Sequence, residues 1–375
     1  MVTVEGPRLA TADDFPGIHD LVDRAFHKER GGMAARIPTC YDEQFPEHHA
    51  VICEEGAVVA HAAAVPETLV VGDGDLACRG IGGVSTEPDC RGKGYMSDLM
   101  EFWLDRADAA LFELGGDRQR YGRFGWEDGG RELRYRITER SLSAAETAAE
   151  TAAEGRAYTA GTDLETLRGV HEAEPLRVKR TRRTSERLFG KRGVETLVVD
   201  ADDPSYLCVD RERREANVVE FGGTEAGVRA LLQTVFAQFD IDSLTVRTPP
   251  THRLNPLFHE VSSVWTTAPL RKVNVRDLGA VLAAFQPQMT ARLSRHDVEP
   301  ETVSLAIEGE EGVELQYEGA LSISQTDDPD ITLGRRKLTT VLFGEPSQGA
   351  TVRRRSPLLE AACPLTYFVW PSERV

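Results

Sequence analysis

The sequence predicts an α+β protein made of three successive regions. Strand-like apolar runs and segments of helical periodicity are interspersed along the whole chain. The length of 375 residues exceeds one ordinary core, and an Ala/Glu/Thr-rich stretch over 139–155 follows the first set of elements. We therefore expect domains over 1–138, 156–270 and 271–375, with a linker or solvated helix over 139–155.

In the first region, a short strand near Arg8–Ala10 precedes a helix that Thr11 is placed to cap. Apolar residues recur at helical spacing from Phe15 to Phe26, which gives this helix one buried face. The next strands are predicted over 51–53, 58–65 and 69–71, with breaks at Gly56 and at the turn 72–74.

The other two regions show the same mixture of elements. In the second, strands are predicted over 196–200, 206–210, 217–221 and 243–247, with a helix over 227–239. In the third, helices are predicted over 275–285, 335–343 and 357–363, with strands over 303–307, 313–317 and 321–323. Both regions are therefore expected to be mixed in class.

The composition excludes several classes of function. A formal net charge of −17 opposes nucleic acid and suits a cationic partner. No apolar run is long enough to span a membrane, and the polar N-terminus resembles no signal peptide, so we expect a cytoplasmic protein. The six cysteines form no CxxC pair and the histidines complete no metal-binding spacing, which predicts reduced thiols and no metal.

Residues 80–103 carry the most informative pattern, a strand that reaches Thr86 and a basic, glycine-rich loop that opens a helix. The loop, residues 91–96, reads RGKGYM and contains no proline, so each of its amides is a donor. Helix N-termini bind anions, and Gly92 and Gly94 let a phosphate approach the backbone closely. The loop predicts a pyrophosphate site, with a plain glycine-rich turn as the alternative. It fits neither GxxxxGK[ST] nor GxGxxG.

The stretch VSTEPDCRGKGYM resembles the acetyl-CoA motif of the GNAT (Gcn5-related N-acetyltransferase) family. Met96, where that family usually has Gly or Ala, is similar to the enhanced-intracellular-survival (Eis) type of bacterial acetyltransferase. The resemblance implies acetyl-CoA as donor and tandem GNAT folds, each a mixed sheet flanked by helices, the second one degenerate. It also implies a C-terminal sterol-carrier-protein-like α/β domain and a homo-oligomer such as a hexamer. It places the coenzyme contacts at Val84, Ser85, Thr86, Arg91, Gly92, Lys93, Gly94, Tyr95, Met96, Ser97, Gly116 and Asp117.

A second segment, YGRFG at 121–125, is similar to the Eis-type sequence whose first tyrosine is a general acid. The resemblance gives this role to Tyr121, since a phenol of pKa near ~10 can protonate the departing coenzyme thiolate. The Gly82-Gly83 pair predicts a bulge that lets a backbone amide near Val84 polarise the acyl carbonyl. A tyrosine used only for packing is the alternative.

The chain ends in an apolar and aromatic run from Tyr367 to Trp370, followed by the segment that ends at Val375. Termini usually fray, so this run predicts a docked tail. In Eis-type enzymes the terminal carboxylate enters the first domain as the base, which the resemblance assigns to Val375. Glu373 or a water molecule is the alternative base, and packing alone is the alternative role.

Together these patterns predict an acetyl-CoA-dependent N-acetyltransferase. The acceptor would be a primary amine on a small cationic molecule or on a lysine side chain. Two alternatives stay open, a peptide or ribosomal-protein N-acetyltransferase and a non-enzymatic regulator that binds coenzyme A or lipid. The basic run 177–183 is interpreted as a solvated helix face or as salt links, because it lacks interleaved aromatic residues.

Overall fold

The computed structural model of the protein describes residues 2–29, 31–106, 108–145, 154–200, 202–212, 214–296 and 298–375. Six strands lie in its first part: β1 (Val4–Leu9), β2 (His49–Glu54), β3 (Ala57–Val71), β4 (Gly74–Thr86), β5 (Leu111–Leu114) and β6 (Glu127–Ile137). The helices of this part are α1 (Phe15–Ala25), α2 (Gly32–Arg36), α3 (Tyr95–Arg106), α4 (Arg118–Gly122) and α5 (Glu139–Ala144). Of the predicted linker, residues 146–153 lie outside the described residues.

The strands that follow are β7 (Arg156–Ala157), β8 (Leu176–Val178), β9 (Val194–Val199), β10 (Ser205–Glu212), β11 (Glu215–Gly222), β12 (Ser243–Thr248) and β13 (Val264–Val275). The helices among them are α6 (Ala160–Glu172), α7 (Arg182–Phe189), α8 (Glu225–Gln238) and α9 (Asn255–Val261). The four predicted strands and the predicted helix of this region are confirmed as β9, β10, β11, β12 and α8.

The last part begins with α10 (Leu278–Leu293). Its strands are β14 (Glu301–Ile307), β15 (Gly312–Tyr317), β16 (Leu321–Thr326) and β17 (Ile331–Leu333), and its remaining helices are α11 (Arg335–Phe343), α12 (Ala350–Arg353) and α13 (Pro357–Ala362). The predicted elements of this region are present, although the helix expected over 275–285 runs from Leu278 to Leu293 and Val275 ends a strand. The α+β class holds throughout. None of the described helices is long and apolar enough to cross a bilayer.

The described residues divide into two compact units. The first comprises 1–129, 271–365 and 374–375, and the second comprises 130–270 and 366–373. The elements predicted for the third region therefore fall, up to residue 365, in the same unit as the glycine-rich loop 91–96. The domain boundaries given by the sequence, and the sterol-carrier-like character of the last region, stay predictions.

The first unit contains a mixed sheet in the order β1-β2-β3-β4-β5-β13. The first four strands pair antiparallel, β4 pairs parallel with β5, and the end of β13 (residues 272–275) pairs antiparallel with β5. A second sheet of this unit has the order β16-β15-β14-β17, in which only the β14–β17 pair is parallel. The mixed pairing agrees with the predicted sheet flanked by helices.

Both faces of the β2–β3 part of the larger sheet are buried. Successive side chains of a strand point to opposite faces, and in these strands most of the residues on each face are apolar. On one face, Ala60, Ala62 and Ala64 join a cluster with Leu99 and Trp103 of α3. On the other, Val51, Ala63 and Val65 join a second cluster with Ile18 and Val22 of α1. The alanines let both helices pack close to the strands that carry the site.

The second unit contains a sheet in the order β6-β12-β11-β10-β9-β7. Only the β11–β12 pair in it is parallel. Helices α6 and α7 cover this sheet through a cluster that includes Leu164, Leu167, Phe189, Val198 and Tyr206. This region is therefore α+β as well.

Candidate active site

Strand β4 carries a bulge where it runs beside β3. The register shifts between His61 and Ala63, so that Gly83 and Val84 together lie opposite Ala62. The bulge predicted from the glycine pair is confirmed. Neither Gly83 nor Val84 has a partner in the register of β3, so the regular ladder of the two strands is interrupted at this peptide.

The bulge changes the face of the sheet to which the residues of β4 point. Before it, Gly80 and Gly82 point toward Val375, which packs on the α1 side. After it, Val84 packs against the cluster on the α3 side. Because side chains alternate with a period of two, one extra residue is enough for this reversal.

The parallel pairing of β4 with β5 ends close to the bulge. Ile81 meets Leu114, the last residue of β5, whereas β4 continues to Thr86. Residues 82–86 of β4 therefore have no partner in β5. Access of a ligand to the backbone of β4 on this side, where the sequence indicated a splayed strand, stays a prediction.

A group of free backbone amides lies at the N-terminus of α3. Within the described part of the chain, none of the amides of residues 92–96 donates a hydrogen bond, whereas Ser97 donates to the Gly94 carbonyl at 2.7 Å. Gly92 and Gly94 have φ angles of +82° and +93°, which side chains rarely tolerate. Five consecutive free amides at a helix N-terminus form a cradle for an anion.

This cradle forms one wall of a cleft of about 610 Å³. Nine of the twelve predicted coenzyme contacts line it: Val84, Ser85, Thr86, Arg91, Gly92, Gly94, Tyr95, Met96 and Ser97. Five further residues complete the lining: Ala25, Phe26, Cys90, Arg120 and Arg123. The predicted contacts Lys93, Gly116 and Asp117 are not among the lining residues.

Of the two basic residues of the loop, Arg91 lines the cleft and Lys93 does not. Lys93 donates to Glu54 at 2.5 Å, and the Tyr95 hydroxyl donates to the same carboxylate at 2.6 Å. The Lys93 ammonium is thus paired outside the cleft, and its hydrogen bond to Glu54 raises its pKa. Arg120 and Arg123 on and after α4 supply charge in its place.

Arg123→Ala is expected to raise the dissociation constant of coenzyme A about tenfold, because the guanidinium lines the cleft and donates to the Ser97 hydroxyl at 3.0 Å. Lys93→Ala is the matched control and should have a smaller effect, because that charge is already paired. Isothermal titration at two salt concentrations measures both, and the Arg123 effect should shrink as salt rises. Equal effects of the two variants would contradict this assignment.

Tyr121 lies on α4 and is buried, with 7% of its surface exposed. It packs in the α3-side cluster that also contains Val84 and Met96, and its ring lies edge-on to Trp126 at 6.5 Å. A Cβ atom on Gly116 would lie 2.6 Å from the Tyr121 ring, so that glycine makes room for the tyrosine. Burial raises the pKa of Tyr121, which keeps the phenol protonated at neutral pH.

Asp117 has a structural role in this segment. Its side chain accepts from the Arg120 amide at 2.7 Å, which caps the N-terminus of α4. Gly116 and Asp117 therefore support the helix that carries Tyr121. A direct contact of either residue with the coenzyme stays a prediction.

Val375 is docked on the opposite face of β4. A Cβ atom on Gly82 would lie 3.0 Å from the terminal carbon of Val375, and one on Gly80 would overlap the valine side chain. Arg271 donates to a terminal oxygen of Val375 at 3.0 Å and is itself paired with Glu113. The two glycines thus leave the space that the carboxylate fills.

Glu373, the alternative base, is held in a buried ion-pair cluster of the second unit. Arg180 donates to Glu373 at 2.7 Å and to both oxygens of Glu220 at 2.8 and 2.7 Å. Burial raises the pKa of Glu373, whereas Glu220 has a lowered pKa because Arg180 and His171 offset its burial. Arg180 was expected on a solvated face or in a salt link; with 2% of its side chain exposed, it is the buried centre of this cluster.

Arg180→Met is expected to lower the free energy of unfolding by about 3–5 kcal/mol, because it leaves two buried carboxylates without their cation. Urea denaturation at pH 7 measures the loss. The lowered pKa of Glu220 also sets how the stability depends on pH. The stabilisation is fully present at pH values above the ordinary pKa of a glutamate, ~4.5, and is lost as the pH falls through the lowered pKa. The exposed variant Arg182→Met is the control, and an equal loss from it would contradict the prediction.

The other titratable groups offer no metal site. Within the described ranges, no group of three or more His, Cys, Asp or Glu side chains is placed to hold a metal ion. The six cysteines are free and buried, and burial raises the pKa of each thiol.

The geometry and the sequence agree with a known family over the first part of the chain. Residues 7–129 match the acetyltransferase (GNAT) domain. This confirms the predicted GNAT acetyltransferase domain, which contains the cradle, the bulge and Tyr121. A curated relative, an aminoglycoside 2'-N-acetyltransferase from Mycolicibacterium fortuitum, is 32% identical over 113 residues, which are 30% of this chain and 49% of that protein. The chain thus spans about half the length of this relative.

Solved structures share the fold over nearly the whole length of the chain. A GCN5-related N-acetyltransferase from Kribbella flavida superposes with a TM-score of 0.72 at 16% identity, covering 99% of both chains. Eis1 from Mycobacterium abscessus superposes with a TM-score of 0.66 at 15% identity, covering 98% of this chain and 97% of that one. At such low identity the likeness establishes the fold, which extends beyond the GNAT domain to all described regions.

Several residues of the site had no signal in the sequence. Phe26 lies at the end of a helix whose apolar periodicity indicated a core position, yet it is 41% exposed and lines the cleft. Arg271 stands at a predicted domain boundary, and Glu113 lies within a buried strand. Arg120 directly precedes the YGRFG segment and Arg123 lies within it. Their positive charge was the signal that could have marked them as residues of an anion site.

Proposed function

We propose that the chain is an acetyl-CoA-dependent N-acetyltransferase whose acceptor is a primary amine of a cationic small molecule or a lysine side chain. The observation that carries the proposal is the row of five free amides at residues 92–96, beside a cleft that leads to the bulge in β4. This arrangement suits a pyrophosphate followed by an extended arm, which are the features of coenzyme A that need recognition.

The described residues fit this coenzyme. The cradle and the guanidinium groups of Arg91, Arg120 and Arg123 would hold the phosphates, and the exposed edge of β4 from Val84 to Thr86 would receive the arm. Acetyl-CoA supplies a thioester, whose acyl carbon forms a bond to the amine nitrogen as the carbon–sulfur bond breaks. The protein must then take a proton from the ammonium, stabilise the acyl oxygen and protonate the departing sulfur.

Three groups of the chain are suited to these tasks. The Val375 carboxylate takes the ammonium proton, the Val84 amide donates to the acyl oxygen, and the Tyr121 phenol donates its proton to the sulfur. Val375 packs against Gly80 and Gly82 on one face of β4, and Val84 stands two residues after Gly82 on the opposite face. Glu373 is disfavoured as the base because its carboxylate is engaged by Arg180 and by the Trp370 amide.

A cationic acceptor is supported by charge near the docked terminus. An ideal Cβ atom on Gly80 would lie 3.3 Å from a carboxylate oxygen of Glu67; Glu113 lies at the same distance, but its charge is paired with Arg271. The net charge of −17 adds a field that attracts polycations. The curated relative acts on aminoglycosides, which are polyamines, and this favours the same chemical class here.

The proposal extends to the type of enzyme, its last region, its assembly and its location. The likeness in fold to Eis1 supports an Eis-type enzyme. We also propose that the last region is sterol-carrier-like, that the protein is a homo-oligomer and that it is cytoplasmic.

Release of free thiol from acetyl-CoA tests the proposal directly, using panels of aminoglycosides, linear polyamines and lysine peptides. We expect turnover with at least one polyamine and a mass increase of one acetyl group on the acceptor. Turnover confined to peptide N-termini would favour a peptide N-acetyltransferase. Tight acetyl-CoA binding without turnover on any amine would reject the enzyme and favour a coenzyme-binding regulator.

A further inference from the structure

Two buried imidazoles lie behind the bulge of β4. His61 on β3 and His49 on β2 have no exposed surface, and their rings stack with centroids 5.2 Å apart. His61 Nδ1 lies 2.9 Å from the carbonyl oxygen of Gly83, and His61 Nε2 lies 2.9 Å from His49 Nδ1. Neither imidazole lines the cleft, and the mechanism proposed above uses neither.

The contacts fix the proton positions on both rings. A carbonyl oxygen only accepts, so His61 Nδ1 must carry a hydrogen and donate to Gly83. Burial lowers the pKa of His61 to about 4 and that of His49 to about 2, so both rings are neutral at pH 7. His61 Nε2 is then an acceptor, and His49 Nδ1 must donate to it. The pair forms a directed chain of hydrogen bonds that ends on the Gly83 carbonyl.

The Gly83 carbonyl and the Val84 amide belong to one peptide group. A trans peptide is planar, and its C=O and N–H bonds point in opposite directions. A donor that holds the carbonyl on the His61 side therefore turns the amide away from His61. Val84 packs on the α3 side and lines the cleft, and the residue has no partner in the register of β3.

Gly83 makes this orientation possible. Its φ is +58°, a left-handed conformation, and a Cβ atom there would overlap the Tyr41 hydroxyl and lie 3.1 Å from the His61 ring. The peptide is thus held by a hydrogen bond on its carbonyl and by the Tyr41 side chain at its α-carbon. A hydrogen bond to a carbonyl also polarises the attached N–H, which strengthens it as a donor.

We infer that His61 is a positioning residue that aims the Val84 amide at the acyl oxygen and strengthens it as a donor. This inference rests on the proposed acetyl transfer. The amide contact gains strength as negative charge develops on the acyl oxygen, so its loss should lower kcat more than it weakens acetyl-CoA binding. His49 supports the effect by keeping His61 in the donating tautomer.

Two variants separate donation from packing. His61→Phe keeps a planar ring but removes the donor, whereas His61→Asn restores an N–H near the position of Nδ1. We expect His61→Phe to lower kcat about 10-fold to 100-fold with KM for acetyl-CoA changed less than about threefold. His61→Asn should recover kcat to within about fivefold of the native value. His252→Phe removes another buried imidazole and controls for the general cost of such a change.

A measurement without turnover separates this inference from the proposed function. In protein labelled with [13C']glycine and [15N]valine, the Gly83–Val84 peptide gives a signal that Val84→Leu removes. Its amide shift should change in His61→Phe, at native secondary structure and unfolding temperature, and return in His61→Asn. That result supports the hydrogen bond even if no amine is acetylated.

The inference is overturned if the shift is the same in native and His61→Phe protein. It is also overturned if folded His61→Phe retains native kcat, or if His61→Asn is no more active than His61→Phe. A loss of activity in His252→Phe equal to that in His61→Phe would equally assign the effect to packing.

Discussion

Replacement of the terminal carboxylate of Val375 by a carboxamide is expected to lower kcat/KM for the amine by about a hundredfold to ten-thousandfold. The change removes the group that takes the ammonium proton and keeps nearly the same shape, so docking against Gly80 and Gly82 should persist. Ligation of a short synthetic C-terminal peptide provides the amide and an acid-terminated control. Kinetics at saturating acetyl-CoA measure the effect.

Val375→Ala is the matched variant, because it retains the terminal carboxylate and loses only the side-chain packing. It should lose far less activity than the carboxamide. Extension of the chain by two glycines moves the carboxylate away and should resemble the carboxamide. If the carboxamide and the extended chain keep native activity, the base is a water molecule or Glu373.

Tyr121→Phe is expected to lower kcat by about a hundredfold to ten-thousandfold while KM for acetyl-CoA stays near its native value, because only the proton donor is lost. The ring would still fill the space beside Gly116 and Trp126, so the unfolding temperature should change little. Steady-state kinetics with thermal unfolding separate the two effects. Tyr135→Phe, which removes the hydroxyl of another buried tyrosine, is the control and should keep native kcat.

The pH profile provides a second test of Tyr121. Burial raises its pKa above the ordinary value near ~10, so the acid form persists at neutral and mildly alkaline pH. Its contribution to kcat should remain until the pH passes the raised pKa and should then fall. The same sign holds for folding, because ionisation of a buried phenol destabilises the native state. A drop in kcat of Tyr121→Phe no larger than that of Tyr135→Phe would remove the tyrosine from the mechanism.

The elements that carry the coenzyme site could be predicted because their signals are local. The glycines and basic residues of 91–96 and the apolar stripe of α3 stand next to each other in sequence, and the cradle forms where they do. The Gly82-Gly83 pair likewise indicated the bulge. Such features depend on the backbone conformation of a few neighbouring residues, and the type of each residue, glycine above all, strongly limits which conformations it adopts.

The errors arise where distant residues decide the outcome. The helix predicted to end at Phe285 continues through Pro287 to Leu293, because Met289 and Leu293 are fully buried and their packing offsets the missing amide. For the basic run that contains Arg180, a solvated face or salt links were expected; the salt link is present, but its burial with Glu220 and Glu373 was not foreseen. Pairings across such separations leave no trace in the neighbouring sequence.

The same limit applies to the residues behind the site. His61 and Gly83 are 22 positions apart, and their hydrogen bond depends on the register between β3 and β4. Arg271 reaches Val375 across 104 positions. The sequence could name the groups proposed to meet the substrates, because they stand in a family motif, whereas the residues that hold those groups in place became visible only with the fold.

The reversal of faces along β4 also bears on how the acyl group travels. A strand that presents Val84 on one side and the Val375 carboxylate on the other can hold donor and acceptor together, so the acetyl group passes straight from sulfur to nitrogen. No side chain has to carry it in between. Burial raises the pKa of all six thiols, including that of Cys90 in the lining of the cleft, which disfavours them as such a carrier. The proposed reaction would therefore run through a ternary complex rather than through an acetylated protein intermediate.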